Sequence, residues 1–333
     1  MAAPGLTVLV SASGAPGTAA LLRALRENGE RDVRLVGTDM SERSIGRHLC
    51  DAFHVVPAGS DAGFPDAVLP QSSFDLQGLA EHRQRFADAG VAALVASPDA
   101  IRRTNDKAEC YAFLQRIGVP TIEFRRVRGG AAVAEAAHDL GYPERPVCFK
   151  PVFSSGSRGF RILDPTVDRA HQLLHERPGA LGMRLEEAVE LIGDDPTELL
   201  VMELATGAER TIDGIAEGGR IALGHAKTRE AMRAGLAMYF VTLEDPELMA
   251  LADDPVGELG IKWFFNIQLV GDHVIEINPR ISTIVYQDDL KIPYLGVKHA
   301  LGEMSFDELQ ALCLRIRPGR KALRYFDQVE FDT

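Results

Sequence analysis

Phe265–Arg280 reads FNIQLVGDHVIEINPR, and the fold turns on how this stretch is interpreted. Two runs rich in β-branched residues, Phe265–Val270 and Val274–Ile277, flank Gly271-Asp272-His273, the composition of a β-hairpin. Successive strand side chains face opposite ways, so Glu276, Asn278 and Arg280 share one face while Ile275 and Ile277 turn to the other. Phe265, Ile267 and Leu269 join the apolar face, and with a three-residue connection Gln268 stands across from Glu276 on the polar one. That face then carries a carboxylate, two amide oxygens and a guanidinium. Hard cations such as Mg²⁺ take oxygen donors, often one or two carboxylates completed by phosphate and water. Gln268, Glu276 and Asn278 are therefore candidate ligands for Mg²⁺ (or Mn²⁺), and Arg280 offers a fork for a transferring phosphoryl group. The plain alternative is a hairpin with a solvated polar face. Asn278-Pro279-Arg280 favours a site, because the proline ends the ladder where the polar residues cluster.

Composition frames the rest. A chain of 333 residues with 46% hydrophobic residues can bury a sizeable core and has room for two or three compact units. There is no apolar run of membrane-spanning length and no signal-peptide pattern at Met1–Thr7. Cys50, Cys110, Cys148 and Cys313 match neither a zinc spacing nor a disulfide framework, so a reduced cytoplasm is the expected compartment. The formal net charge of −12 argues against non-specific nucleic-acid binding but leaves room for a local phosphate site.

The N-terminal segment opens with a buried-type strand at Leu6–Val10, a turn containing Gly14 and Gly17, a helix over Thr18–Asn28, and a strand at Val33–Gly37 running into Thr38-Asp39. That order is a βαβ unit, and a helix start behind such a turn is a natural anion site. An NAD(P)-binding oxidoreductase or epimerase is one reading. The spacing is G-x-x-G rather than G-x-G-x-x-G, which favours glycines serving a tight turn and close helix packing. Val68–Gln71 marks a strand end, Leu76–Ala89 a helix and Val91–Ser97 an apolar strand. Asp99 or Thr104/Asn105 can cap helices in the next stretch, and a helix over Lys107–Ile117 follows with Gly118 and Pro120 as its stop. Lys107 lies in the first turn, where the helix dipole disfavours a cation; the ordinary reading is a surface lysine.

Val147–Phe149 then reads as a buried strand ending in Lys150-Pro151, followed by the small-residue loop Ser154-Ser155-Gly156-Ser157-Arg158-Gly159. Such glycines let backbone N–H groups approach an anion, beside the point charge of Lys150, although the stretch is no P-loop. Helices over Thr166–Leu174 and Leu185–Ile192 precede a strand at Leu199–Met202. A period-two strand from Glu209 follows, with a Glu217-Gly218-Gly219 turn into Arg220–Ala226. The tail reads as a helix over Phe306–Arg315 and an edge strand over Ala322–Val329.

EINPRIS, from Glu276 to Ser282, resembles the metal-binding signature of ATP-grasp enzymes, in the branch around carbamoyl-phosphate synthase and related carboxylate–amine ligases. The other motifs occur in that family's order, from Leu6 to Gly302. The resemblance implies an α/β, ATP-grasp fold behind a small, shortened Rossmann-like domain. Its boundaries would be 1–100 for the small domain, 101–305 for the ATP-grasp domain, and 306–333 for a terminal helix and strand. Within the ATP-grasp domain, about 145–203 would be the flap and about 204–305 the metal-binding part. In the terms of that family, Lys107 of N-D-K contacts ATP phosphates, and Lys150 holds the α/β-phosphates beneath a flap of Ser154, Ser155, Gly156, Ser157 and Gly159. VMELATGAERTID resembles the hinge, where backbone near Glu203 and Leu204 bonds adenine and Glu209 holds the ribose, with Asp213 behind it. Lys227 and Arg229 of KTREAMRAG would face the phosphate or acyl acceptor, and Arg280 the acyl phosphate. Asp288 and Asp289 read either as an amine site or as an exposed acidic turn.

The implied activity uses Mg-ATP to phosphorylate a small carboxylate, after which an amine displaces phosphate. Amino acids are candidate substrates, and ligases of this type are commonly homodimers. A non-catalytic ATP-binding protein is the further alternative, supported by the shortened segment between Pro57 and Phe74.

Overall fold

In the computed structural model the described residues are 6–56, 69–88, 91–154, 156, 158–176, 181–233, 236–281 and 290–325. Ser155, Ser157, Ser282, Thr283, Gln287, Asp288 and Asp289 lie outside them. By contacts the chain divides into two compact units. The first takes Met1–Thr104, Glu209–Gln268 and Ile277–Thr333, and the second takes Asn105–Ala208 and Leu269–Glu276. This division differs from the linear boundaries expected at 100 and 305.

The first unit begins with a parallel three-stranded sheet of β1 (Leu6–Val10), β2 (Val33–Asp39) and β3 (Ala52–Val55). The helix Thr18–Arg26 buries Leu21, Leu22 and Leu25, the apolar stripe visible in its spacing. The Gly14 N–H donates to Asp39 Oδ2 at 2.8 Å, and a Cβ on Gly14 would lie 2.9 Å from that same oxygen. Gly14 thus serves a close approach within the chain, as its spacing implied. Two expectations fail here. Val91–Ser97 forms no strand: the Val95 N–H turns to the Ala93 carbonyl at 2.9 Å, while Leu94, Val95 and Ala96 are buried all the same. The single helix expected over Leu76–Ala89 is two, Leu76–Glu81 and Arg83–Asp88, broken at His82.

The second unit is built on a five-stranded sheet of β4 (Phe124–Arg128), β5 (Val147–Pro151), β6 (Arg161–Leu163), β7 (Gly182–Met183) and β8 (Glu198–Glu203), in the order β4-β8-β5-β6-β7. Helices Gly130–Asp139 and Leu185–Ile192 supply Val133, Ala137 and Ala188 to a core shared with Val147, Phe149 and Val201. Cys148 in β5 is buried, which pushes its thiol pKa up to about 12; Cys50 is pushed to about 11 for the same reason. All four cysteines are free.

The larger sheet runs through β9 (Glu209–Glu217), β10 (Arg220–Thr228), β11 (Glu230–Arg233), β12 (Leu236–Leu243), β13 (Trp263–Val270), β14 (His273–Asn278) and β15 (Lys321–Leu323). Its order is β11-β12-β10-β9-β13-β14, with β15 on β12. Ile215, Leu223 and Phe264 of this sheet join Val8 and Leu35 of the small one, Leu22 of its helix, and Tyr294, Val297 and Leu309 of the C-terminal helices in one core. Only Gly271 and Asp272 separate β13 from β14, so the three-residue connection is corrected to two and His273 belongs to the second strand. Gly271 makes the tighter turn with φ +55°, a region glycine enters without penalty. Among the described residues no helix is long and apolar enough to cross a membrane.

Candidate active site

In the second unit the helix Lys107–Arg116 starts at Asp106, whose side chain accepts the Glu109 N–H at 2.9 Å. Asp106 is thus the cap, rather than Asp99, Thr104 or Asn105, because its extended backbone aims the carboxylate back at the first turn. It also accepts Arg126 Nη1 at 3.1 Å, and Arg126 bonds Glu198 in turn. Lys107, fixed by this framework, is only 8% exposed, so the surface-lysine reading does not hold. Its ammonium donates to the Ser154 carbonyl, at the start of the Ser/Gly loop.

Lys150, near the end of β5, donates to Tyr111 Oη at 3.1 Å. Tyr111 lies one turn along the helix from Lys107, is buried, and donates to the Ile275 carbonyl at 2.8 Å, beside Glu276. Burial holds both lysine pKa values below the usual one, and the Glu276 carboxylate is the strongest opposing charge on each. These two cations, forty-three positions apart in the chain, thus gather around one carboxylate. Such a pocket suits a multiply charged anion. In the loop, a Cβ on Gly159 would lie 2.6 Å from Pro151 Cδ, so only glycine lets the chain return over that proline.

At the expected adenine hinge, two backbone donors are occupied within the chain. The Glu203 N–H donates to Glu123 O at 3.0 Å and the Leu204 N–H to Pro146 O at 2.9 Å, both within the sheet. The carboxylate of Glu203 pairs with Arg145 at 2.7 Å.

In the first unit the expected ribose acid, Glu209, stands 3.4 Å from Arg229 Nε, so two candidate residues are brought together as an ion pair. Lys227 is 1% exposed and pairs with Asp213 at 2.9 Å, its ammonium 5.2 Å from the Phe240 ring centroid. Its charge is held inside the sheet rather than presented on an open surface, and Asp213 serves Lys227 rather than backing Glu209. Burial brings the Lys227 pKa down to about 8, against the pull of Asp213. His225, across the β9–β10 ladder from Asp213, is buried, and this together with Lys227 lowers its pKa to about 4.

Gln268 Nε2 and Asn278 Nδ2 both donate to Asn266 Oδ1, at 3.0 and 3.3 Å. Among the described residues no hydrogen bond engages the carbonyl oxygen of either amide. Two amide oxygens left in this way within the first unit are donors of the kind that a hard cation such as Mg²⁺ or Mn²⁺ takes, while Glu276 falls in the second unit. Arg280 donates from Nε to Ser73 Oγ at 3.2 Å and from Nη1 to Ile281 O at 3.0 Å.

Sequence reasoning missed Tyr111 and Asn266. Tyr111 shares a helix stripe with apolar residues and looks like core. Asn266 stands at i−2 from Gln268, a spacing that places both on one strand face and could have revealed it.

Part of the chain is similar in sequence to ATP-grasp proteins. Residues 195–318 match the family described as ATP-grasp in the biosynthetic pathway with Ter operon. The carbamoyl phosphate synthase large chain of Mycobacterium bovis is 31% identical over 214 residues, covering 60% of this chain and 18% of that one. The chain spans about a fifth of the length of such curated relatives. L-amino acid ligase from Bacillus licheniformis superposes with a TM-score of 0.60 at 16% identity, over 96% of this chain and 79% of that one. N5-carboxyaminoimidazole synthetase from Staphylococcus aureus complexed with ADP gives 0.59 at 14% identity, over 95% and 79%.

Proposed function

We propose that the chain is an ATP-dependent carboxylate–amine ligase acting on small substrates, amino acids among them. The observation that carries this reading is the convergence of Lys107, Lys150 and Glu276 within one compact unit. Likeness to a carbamoyl phosphate synthase and to an L-amino acid ligase supports the same class.

In the reaction proposed, a carboxylate oxygen attacks the γ-phosphorus of ATP, ADP leaves, and an acyl phosphate results. The amine then forms the C–N bond, phosphate departs, and the amine gives up a proton. Mg²⁺ or Mn²⁺, held by Gln268, Glu276 and Asn278, would neutralise polyphosphate charge during transfer. Lys107 and Lys150 bind the phosphates as fixed cations, Lys150 being steadied by Tyr111. The loop from Ser154 to Gly159 shields the acyl phosphate from water, and Arg280 orients the phosphoryl group. Positioning and charge supply the rate, so the scheme needs no dedicated general base for the first step.

The test is phosphate release by the full chain with Mg-ATP across a panel of carboxylic acids and amines. Turnover should need both substrates, and Glu276→Ala should lower it by about 10²–10³, as for other electrostatic stabilisers. A wild-type protein that binds no Mg-ATP, or a Glu276→Ala protein with undiminished turnover, overturns the reading.

A further inference from the structure

Asn266 is 1% exposed and lies between two acceptors. Its Nδ2 donates to Asp213 Oδ1 at 2.8 Å and to Thr211 Oγ1 at 2.6 Å. Thr211 has one hydroxyl proton, and that proton is committed to the Ile267 carbonyl at 3.0 Å. Asp213, whose other oxygen lies 2.9 Å from the Lys227 ammonium, offers Asn266 a carboxylate oxygen, an acceptor. Only an NH₂ group fits facing these two, so the Asn266 oxygen must point the other way. There it receives the NH₂ groups of Gln268 and Asn278 at 3.0 and 3.3 Å. An amide whose NH₂ is tied down leaves its oxygen elsewhere, and flips of this kind are settled by such networks.

We infer that Asn266 is a positioning residue: anchored by Asp213 and Thr211, it turns Gln268 and Asn278 so that their oxygens, and not their NH₂ groups, are presented to a divalent cation. The inference rests on the metal reading of Gln268 and Asn278. It also gives Lys227 a task inside the sheet, as the partner that holds the Asp213 carboxylate in place. The order of influence is Lys227, Asp213, Asn266, then both amides.

The test measures Mn²⁺ binding by electron paramagnetic resonance, on the full chain with a non-hydrolysable ATP analogue present. Analogue affinity without metal and thermal stability are followed in parallel. Asn266→Leu removes the acceptor and should weaken Mn²⁺ binding by about 10- to 100-fold, as loss of an outer partner does at other metal sites, with metal-free analogue affinity unchanged. Asn266→Asp keeps an acceptor oxygen for both amides. It should therefore stay close to wild type in Mn²⁺ affinity even though a second acid beside Asp213 lowers its stability. Gln268→Glu added to Asn266→Leu should restore affinity, because a carboxylate presents oxygen whichever way it turns. A purely structural role for Asn266 would make Mn²⁺ affinity follow stability across these variants, and that result overturns the inference. So does wild-type affinity in Asn266→Leu. Wild-type protein that binds the analogue but no Mn²⁺ brings down the metal reading itself, and this inference with it.

Discussion

Two buried-lysine settings in this molecule differ in what faces the ammonium. Lys107 and Lys150, in one unit, donate to a backbone carbonyl and a tyrosine hydroxyl, with Glu276 as the main carboxylate acting on both. Lys227, in the other, faces the carboxylate of Asp213 at 2.9 Å. A desolvated cation with a neutral partner retains uncompensated charge that an incoming anion can relieve. One already paired with a carboxylate is electrostatically complete, and removing either partner strands the other in a low dielectric. The difference separates two lysines open to an added anion from one whose carboxylate partner is already in place.

The sharpest way to break this comparison is to neutralise one lysine of each kind. Lys227→Met should cost about 3–5 kcal/mol in denaturant unfolding, since it leaves Asp213 buried and unpaired. Lys150→Met should leave unfolding stability unchanged or higher, and should abolish the thermal shift produced by Mg-ATP. Equal losses of stability in the two variants would erase the distinction.

A smaller effect sharpens the account of the ion-paired region. His225 has a folded pKa of about 4 against an ordinary value of 6.5, so the unfolded chain takes up its proton first as pH falls. Stability should therefore be lost between pH 6.5 and 4 and level off below. This one group accounts for about 3 kcal/mol at most, at about 1.4 kcal/mol per pH unit. Urea unfolding of His225→Gln across the same window should lack that slope. The smallest effect belongs to the binding lysines. Tyr111→Phe removes the acceptor for Lys150 and should weaken ATP binding roughly tenfold, the scale of a hydrogen bond to a charged group, in a calorimetric titration. An unchanged Kd would mean that the hydroxyl does not hold the ammonium in place.

Much of this was legible in the sequence where one signal dominated. The strand Leu6–Val10 and the helix Leu185–Ile192 form over the residues their periodicity marks, and Gly218-Gly219 turns β9 into β10 as the glycine pair implies. The apolar run Val91–Ser97 fulfils half of its signal: Leu94, Val95 and Ala96 are buried, yet without a ladder, because hydrophobicity dictates burial and not hydrogen-bond partners. Within the candidate site, Lys107 stands out only through the family resemblance, since its own position in a helix's first turn reads as a surface lysine, which its burial contradicts. Residues that act through another side chain do not stand out. Asn266 mid-strand looks only like a poor β-former, and the direction of its amide depends on Thr211, fifty-five positions away. At the expected adenine hinge the N–H groups of Glu203 and Leu204 go to Glu123 and Pro146, partners that a local motif does not reveal.

Cys148 sits in β5 two positions before Lys150, and its thiol, with a pKa near 12, carries almost no thiolate at neutral pH. An alkylating reagent can reach it only in those moments when this sheet comes apart. The native chain therefore holds its own clock: the pace at which Cys148 is alkylated, with and without nucleotide, counts the openings of the strand that carries Lys150.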